Sequence, residues 1–404
     1  MKFNPWTVLG AEQLSPRSRS KLGVVAFFYF IQGSPAAILW EVLPVYLRFH
    51  GVSLRAIGGL RLLELPYSLK FFWSPLVHRF GDRRFWVGCC MLGIAGIVAV
   101  LPFMGLGGVN WTIIMLVLLL TTFSATQDVA IDSYSVGLIS HEEEGPANGV
   151  RASAYRIALV CVGGRIVLLA SALSLTPAGF FAFLGVCAMR VPRLDLSPAS
   201  RKHWFGGFVG WIATWRAIPL VLFVLLYKLG EFAIGPMVKP FWVDQGRSVF
   251  EIGLIPTTFG IVLSVIGSLA GGSFISRYGT FHAVWVLGLF QAVSNLGYAV
   301  VDWVHLGPFG LYSASIFESF TGGLGTAAFL ALLMNVCEKE HATLQYAFLS
   351  SVFSLSGRLV GGISGLGAER FGYGNYFAMT FLLSLPAYLL LPWVRGWIKE
   401  PTRQ

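Results

Sequence analysis

Two carboxylates stand at the end of a long apolar run, in the stretch from Phe123 to Tyr134. Asp128 and Asp132 are four residues apart, so on a helix both side chains lie on the same face. An ionised carboxylate inside a bilayer costs about 2.5–3.5 kcal/mol on insertion scales. We therefore expect either that both acids are structural, paired to a basic residue of a neighbouring helix or placed at the cytoplasmic interface, or that they line a polar cavity and exchange a proton or hold a substrate group.

The composition is that of a protein that crosses a membrane several times. Of its 404 residues, 55% are hydrophobic and 12% are charged, whereas soluble globular proteins carry about 25% charged residues. Apolar runs of about 20 residues recur along the whole chain, which excludes one soluble domain with a single anchor. The 13 tryptophans fit aromatic belts at the two membrane interfaces.

Several other classes of protein are disfavoured. The net charge of +10 is not gathered in a basic run with interleaved aromatics, so we expect no nucleic-acid partner. The five cysteines lack metal-ligand or disulfide spacing, and no H-E-x-x-H or G-x-S-x-G motif indicates an enzyme. The first 21 residues are polar and the apolar stretch after them is long enough to span, so no cleavable signal peptide is expected.

Hydrophobic runs predict twelve membrane-spanning helices in two groups of six. The predicted organisation is a cytoplasmic lead at 1–21, a six-helix bundle at 22–191, a cytoplasmic linker at 192–215, a second six-helix bundle at 216–394 and a cytoplasmic tail at 395–404. With the N-terminus inside, the cytoplasmic connections collect 18 Lys and Arg residues and the opposite side collects four. The excess of positive charge predicts that both termini are cytoplasmic.

The two predicted bundles carry the same short motifs, offset by 193 to 198 residues. The pairs are Gly51–Gly58 with Gly246–Gly253, Arg79–Gly81 with Arg277–Gly279, and Gly164–Val167 with Gly357–Val360. Three matches at nearly one offset indicate a duplication and not chance. Two six-helix halves related by a parallel repeat resemble the architecture of the major facilitator superfamily, an all-α membrane fold.

Twelve ionisable side chains lie inside the predicted spans, six acidic and six basic: Glu41, Glu64, Lys70, Asp128, Asp132, Arg156, Arg165, Lys228, Glu231, Lys239, Glu318 and Arg358. Equal numbers of the two signs favour mutual neutralisation around a shared interior. We therefore expect these side chains to face inward and not toward lipid.

Some of these charges can be given partners from spacing and depth. Lys228 and Glu231 are three apart on one helical face, which fits a structural ion pair or a substrate site. Arg156 lies at a depth similar to that of Asp128, so these two are the simplest expected pair. Glu318 precedes a glycine-rich stretch that fits either a gate or a packing seam. Arg358 is the preferred anchor for an acidic substrate, because a guanidinium can hold a carboxylate by two hydrogen bonds.

Neutral and aromatic groups complete the candidate site. The amides are Gln291, Asn295 and Gln345, which serve more often as ties between helices than as ligand contacts. Trp40, Tyr155 and Phe317 could stack on a sugar ring or could simply pack. Lys70 could snorkel toward the inner face or meet the substrate.

Motifs along nearly the whole chain resemble the AmpG-type muropeptide permeases. They include Ser124–Asp132, Lys70–Leu76, Tyr227–Glu231, Gln291–Tyr298, Phe317-Glu318 with Gly322–Thr326, Ala328–Met334, and Ala342–Gln345 with Gly357-Arg358. The resemblance implies a bacterial inner-membrane importer that carries anhydro-muropeptides from periplasm to cytosol for cell-wall recycling, with uptake driven by the proton gradient. We further expect a monomer without a cofactor, whose partners are the lipid bilayer and a small amphiphilic anionic substrate.

Roles follow from combining the resemblance with the buried charges. Asp128, Glu231 and Glu318 are the predicted protonation sites, with Asp132 in a charge network at the inner face. Arg156, Lys228 and Arg358 are predicted to hold substrate carboxylates. Shorter members of the same family import siderophores and a eukaryotic branch carries acetyl-CoA, so these substrates remain alternatives, as does a membrane sensor that transports nothing. At His78 the sequence departs from the family, which has an acidic residue before the arginine of this loop.

Overall fold

The structure is a computed structural model that describes residues 15–79, 82–103, 110–139, 144–164, 175–193, 217–337 and 342–398. Every regular element of these ranges is helical, as the hydrophobic runs predict. Most of the predicted linker at 192–215, most of the lead at 1–21, most of the tail at 395–404, and Arg165 lie outside the described residues.

The helices before residue 190 are α1 Pro16–Ala37, α2 Leu43–Phe49, α3 Leu54–Gly59, α4 Leu65–Leu69, α5 Ser74–Arg79, α6 Arg83–Val100, α7 Trp111–Leu138, α8 Glu144–Ala158 and α9 Leu175–Met189. Short turns of other helical types lie between or after them: π-turns at Ile38–Val42 and Leu159–Gly164, and 3-10 turns at Leu60–Glu64, Lys70–Phe72 and Leu101–Phe103. The π-turn after α1 continues into α2, so residues 16–49 form one span.

The remaining helices are α10 Ala217–Leu226, α11 Leu229–Asp244, α12 Val249–Ile252, α13 Gly260–Tyr278, α14 Thr280–Trp303, α15 Pro308–Asn335, α16 Ala342–Phe371, α17 Tyr373–Leu389 and α18 Leu391–Arg395. A π-turn at Gly253–Phe259 joins α12 to α13 and contains Pro256. Among the described residues, seven helical stretches are long and apolar enough to cross a membrane. The count of twelve spans stays a prediction.

Two of the predicted spans are broken where continuous helices are expected. The apolar run over residues 57–77 predicts one span, but 3-10 turns at Leu60–Glu64 and Lys70–Phe72 divide it. Pro66 lies in the first turn of the short helix Leu65–Leu69, where the amide N–H that proline lacks is not needed. The span at 216–243 breaks between α10 and α11. Lys228 lies in this break and precedes α11 with a non-helical backbone, so an ionisable side chain sits at a discontinuity inside a span.

The contacts divide the chain into two compact units. Unit 1 contains residues 1–52 and 63–198, and unit 2 contains residues 53–62 and 199–404. The core of unit 1 includes Phe28, Met91, Tyr134 and Phe181, and the core of unit 2 includes Phe223, Tyr227, Phe329 and Leu332. Each unit therefore has an apolar core of its own, against which a few polar side chains are held.

Helix α3 packs within unit 2 against α16 through close backbone contact. The side chain of Ser53 caps the first turn of α3, and the backbone N–H of Arg55 donates to Glu369 Oε1 at 2.8 Å. A Cβ atom on Gly365 would overlap the carbonyl oxygen of Leu54. Glycine at position 365 is thus what allows the two backbones to meet.

Candidate functional site

The first cluster of charges lies in unit 1 around Lys70. Its ammonium group is 2.9 Å from Asp128 Oδ2 and 3.9 Å from Asp132 Oδ2. Tyr29 donates its hydroxyl to Asp132 Oδ1 at 2.7 Å, and the guanidinium of Arg151 lies 5.4 Å from the centre of the Tyr29 ring. The prediction that the two aspartates share one helical face is confirmed, because one lysine reaches both.

The expected pair of Arg156 with Asp128 was wrong. Asp128 bonds to Lys70, and among the ion pairs of the described residues none involves Arg156. The physical reason is local: Lys70 begins a 3-10 turn, which gives its side chain a different direction from that in the straight helix that the hydrophobic run predicted. Arg156 is half-buried near the end of α8.

Aromatic and acidic side chains form a second group in unit 1. The indole N–H of Trp40 donates to Glu64 Oε1 at 3.0 Å, and the rings of Trp40 and Tyr155 lie 6.5 Å apart at an angle of 57°. Glu64 is 5% exposed. The structure therefore brings together the two predicted sugar-stacking rings and adds a buried carboxylate that the site prediction did not include.

The second charged cluster lies in unit 2 at the break between α10 and α11. Lys228 is 3% exposed, and its ammonium group donates to Glu231 Oε2, to Gln291 Oε1 at 2.9 Å and to Thr326 Oγ1 at 3.0 Å. An ammonium group has three donors, so all three are used. The Lys228–Glu231 pair expected from spacing is present, with Gln291 as a shared partner.

Glu231 is the more accessible member of this pair, with 32% of its side chain exposed. It accepts from both Lys228 and the amide of Gln291 through Oε2. Two glycines make room for the arrangement. A Cβ on Gly325 would overlap Gln291 Oε1, and one on Gly230 would overlap Ser384 Oγ. Close helix packing thus brings the amide of Gln291 into hydrogen-bond contact with the ion pair.

Glu318 differs from the other membrane-embedded acids of unit 2. Its nearest described polar contact is with Ser319 Oγ at 3.5 Å, and among the ion pairs of the described residues none includes Glu318. A carboxyl group in a membrane span without a counter-ion is costly to ionise.

The remaining candidates are distributed through unit 2. Arg358 donates to Ser354 Oγ on its own helix, and Asn295 donates to Thr380 Oγ1 at 3.0 Å. Gln345 is fully buried, whereas Phe317 is 41% exposed with its ring 6.1 Å from that of Phe290. Their roles toward a substrate stay predictions.

Sequence reasoning missed three polar contributors: Tyr29, Glu64 and Thr326. Tyr29 and Thr326 are ordinary residues of apolar helices, and nothing in their local sequence marks them. Glu64 does carry a signal, because an acid inside a predicted span needs a partner, and the partner, Trp40, was itself a candidate. Charge alone could therefore have placed Glu64 in the site.

Each of the two charged clusters holds a lysine ammonium group in hydrogen-bond contact with a carboxylate. Charges interact strongly in a low-dielectric interior, so the ionisation of one partner of an ion pair depends on the charge of the other. Neutralising Glu231 would leave the ammonium group of Lys228 without its counter-ion. A substrate carboxylate could take that place.

Comparison with known proteins decides the family. The sequence profile of the Major Facilitator Superfamily matches residues 220–404, and an uncharacterised protein of Haemophilus influenzae is 30% identical over 409 residues, covering 93% of this chain and 94% of that protein. The chain belongs to the major facilitator superfamily. It is a secondary transporter and not an enzyme.

Two further relatives of this transporter have names that indicate a function. The anhydromuropeptide permease of Escherichia coli is 26% identical over 399 residues, covering 93% of this chain and 79% of the permease. A putative transporter named AmpG 4 from Rickettsia conorii is also 26% identical, covering 89% of this chain and 93% of that protein. The resemblance to the AmpG-type permeases is thereby confirmed.

Solved structures agree on the fold. A bacterial homologue of the human lysosomal transporter Spinster matches with a TM-score of 0.74 at 14% identity, covering 96% of this chain and all (100%) of that one. A D-xylose–proton symporter matches with a TM-score of 0.71 at 12% identity, covering 92% of this chain and 97% of that one. At such identities the match shows the fold alone, and it confirms the predicted fold class.

Proposed function

We propose that this transporter imports anhydro-muropeptides, the sugar-linked peptides released from the bacterial cell wall, from periplasm to cytosol. The observation that carries the proposal is the similarity to the anhydromuropeptide permease of Escherichia coli over 93% of this chain. Such a substrate is small, amphiphilic and anionic, which suits a membrane interior that offers both aromatic rings and cations.

Uptake is coupled to the proton gradient in this proposal. Glu231, Glu318, Asp128 and Asp132 are the acids that could carry the proton. Glu231 is the first choice for coupling, because Lys228 holds it while a third of its side chain stays exposed. Protonation of Glu231 releases the positive charge of Lys228 to a substrate carboxylate, so proton and substrate favour each other's binding.

The cations supply the other half of the proposed chemistry. Arg358 and Arg156 hold substrate carboxylates through two parallel hydrogen bonds each. Lys228 and Lys70 contribute charge once their own carboxylate partners are protonated. Gln291 and Asn295 assist by orienting the charged groups, since their described contacts lie within the protein.

The transporter is proposed to work as a monomer in the bacterial inner membrane, with both termini cytoplasmic. The orientation rests on the distribution of Lys and Arg over the short connections. Alternating access between the two faces requires no cofactor, because the proton gradient supplies the free energy.

The test is uptake by proteoliposomes that contain the purified transporter. Labelled anhydro-muropeptide is added outside, with the lumen made alkaline, and accumulation is followed with and without a protonophore. The proposal expects accumulation that the protonophore abolishes. If unlabelled siderophore or acyl-CoA reduces the uptake of label and unlabelled muropeptide does not, those substrates are favoured instead. If no flux is measured, a sensor is favoured.

Arg358→Ala tests the anion anchor in the same vesicles. We expect uptake to fall at least about tenfold, the equivalent of one charge-assisted contact of about 1.4 kcal/mol. Arg370→Ala is the matched control, because Arg370 is exposed in the last turn of the same helix. Unchanged uptake in Arg358→Ala would remove this residue from the site.

A further inference from the structure

Four arginines at one end of unit 1 form an arginine patch. Two of them begin α6 and two follow α9: Arg83, Arg84, Arg190 and Arg193. Arg84 donates to Asp82 Oδ2 at 2.7 Å and to the carbonyl oxygen of Val191 at 2.7 Å. Arg193 lies 3.9 Å from the same carboxylate, with 70% of its side chain exposed. These contacts hold the start of α6 against the residues that follow α9.

The patch has more positive than negative charge. Arg83 donates to the hydroxyl of Ser133 on α7 at 2.5 Å, which is a neutral partner. Arg190 is exposed, and among the ion pairs of the described residues none includes Arg190 or Arg83. Four arginines around Asp82 give this group of described residues a formal charge of +3. The patch can therefore attract an anion.

The arginine patch borders the apolar surface that α6 and α9 expose. On α9 and the turn after it, Phe183, Val186 and Arg190 follow one another at spacings of three and four residues, so they lie along one helical face. All three are exposed. On α6, Phe85 is exposed two residues beyond Arg83. Exposed apolar side chains of membrane helices contact acyl chains, so the arginines next to them lie at the level of the lipid headgroups.

Close packing keeps α6 and α9 side by side next to the patch. A Cβ atom on Gly88 would overlap Met189 Cγ, and one on Gly185 would lie 3.0 Å from the carbonyl oxygen of Gly88. Glycine at these two positions lets the helices approach each other closely. The exposed face of α6 therefore adjoins that of α9, so one lipid molecule can meet arginines from both helix ends.

We propose that the arginine patch binds the headgroup of an anionic phospholipid, with Arg190 and Arg193 as its main contacts. A guanidinium holds a phosphate through two parallel hydrogen bonds, and basic side chains at the ends of membrane helices attract anionic lipids. The acyl chains of the same lipid cover Phe85 and Phe183. A soluble phosphate would meet the arginines but leave these apolar side chains uncovered, so the observations favour a lipid. The inference is independent of which substrate is transported.

The test measures lipid binding to the transporter purified in a neutral detergent. Native mass spectrometry follows the binding of phosphatidylglycerol as it is titrated, with phosphatidylcholine of the same acyl chains and water-soluble glycerol phosphate as comparison ligands. We expect phosphatidylglycerol to bind more tightly than phosphatidylcholine, and glycerol phosphate not to displace it. Arg190→Gln and Arg193→Gln should each weaken the binding of phosphatidylglycerol about fivefold, the effect of one basic residue near an anionic lipid surface.

Arg277→Gln is the matched control, because Arg277 is an exposed arginine in the last turn of α13, outside the patch. Its affinity for phosphatidylglycerol should stay within about twofold of wild type. The proposal is overturned if the two lipids bind alike, if glycerol phosphate displaces the lipid, or if the control loses as much affinity as the patch variants. Wild-type affinity in both patch variants overturns it too. If Arg193→Gln does not fold, Arg190→Gln alone decides, because the side chain of Arg190 has no hydrogen bond or ion pair among the described residues.

Discussion

The charged clusters of the two units use one lysine each but hold it differently. In unit 1, Lys70 is 32% exposed and faces two carboxylates, of which Asp132 is 47% exposed. In unit 2, Lys228 is 3% exposed and donates to one carboxylate, one amide and one hydroxyl. The first cluster holds two carboxylates around a partly exposed lysine, with the guanidinium of Arg151 nearby, whereas the buried ammonium group of the second uses all three of its donors.

The two lysines therefore differ in how strongly each depends on a single carboxylate. A lysine that is fully buried cannot lose its only carboxylate without leaving an uncompensated charge in a low-dielectric interior. In the proposed function, protonation of Glu231 and binding of an anion at Lys228 would therefore favour each other. Lys70 can keep one aspartate if it loses the other, so the cluster in unit 1 can rearrange at lower cost.

Removing each lysine in turn should give the largest difference between the two clusters. Lys228→Met leaves the carboxylate of Glu231 without its cation and should destabilise the protein by about 3–5 kcal/mol. Lys70→Met should cost only about 1–2 kcal/mol, because its surroundings are partly exposed. Thermal unfolding in detergent measures both, and equal losses would show that the two clusters do not differ.

Removal of charge in pairs tests whether the loss comes from the stranded ion. Lys228→Met combined with Glu231→Gln should unfold at a higher temperature than Lys228→Met alone, recovering more than half of the lost stability. The corresponding pair in unit 1, Lys70→Met with Asp128→Asn, should recover less, because the carboxyl group of Asp132 still lacks its lysine. Additive losses in unit 2 would mean that packing, and not charge, is responsible.

A smaller effect is expected when Gln291, a neutral partner of Lys228, is displaced and no charge is changed. A methyl group at Gly325 would overlap Gln291 Oε1, so Gly325→Ala should move this amide away from Lys228. We expect uptake to fall about three- to tenfold, the equivalent of one hydrogen bond of about 0.5–1.5 kcal/mol. Gly235→Ala is the control, because a Cβ there meets nothing within 4 Å. Equal uptake by the two variants would contradict a role for Gln291.

The smallest effect is expected at the exposed end of the cluster in unit 1. Tyr29→Phe removes the hydroxyl that donates to Asp132 at 2.7 Å. Because the ammonium group of Lys70 also lies 3.9 Å from this carboxylate, Asp132 keeps a partner, and uptake should change by less than about twofold. A loss as large as that of Gly325→Ala would place the coupling site in unit 1 instead.

The sequence predicted the fold class and the pair of Lys228 with Glu231, because both depend on patterns that repeat at fixed spacing. Long apolar runs indicate membrane spans, and two charges three residues apart lie on one face of a helix. The grouping of Asp128 with Asp132 was predictable for the same reason. These features need no knowledge of neighbouring helices.

The partner of Asp128 could not be predicted in this way. Its choice of Lys70 depends on a 3-10 turn in a broken span, and such turns are set by tertiary packing more than by local sequence. The break at Lys228 has the same origin, since no proline lies at that point. Thr326 and Tyr29 joined the clusters only because helices distant in sequence bring them there.

The measurement that tests the central claim most directly compares exchange with accumulation in Glu231→Gln proteoliposomes. If Glu231 couples the proton to the substrate, the variant should still exchange labelled for unlabelled anhydro-muropeptide across the membrane. It should also fail to accumulate the substrate when a proton gradient is imposed. Accumulation at the wild-type level in this variant would contradict the account.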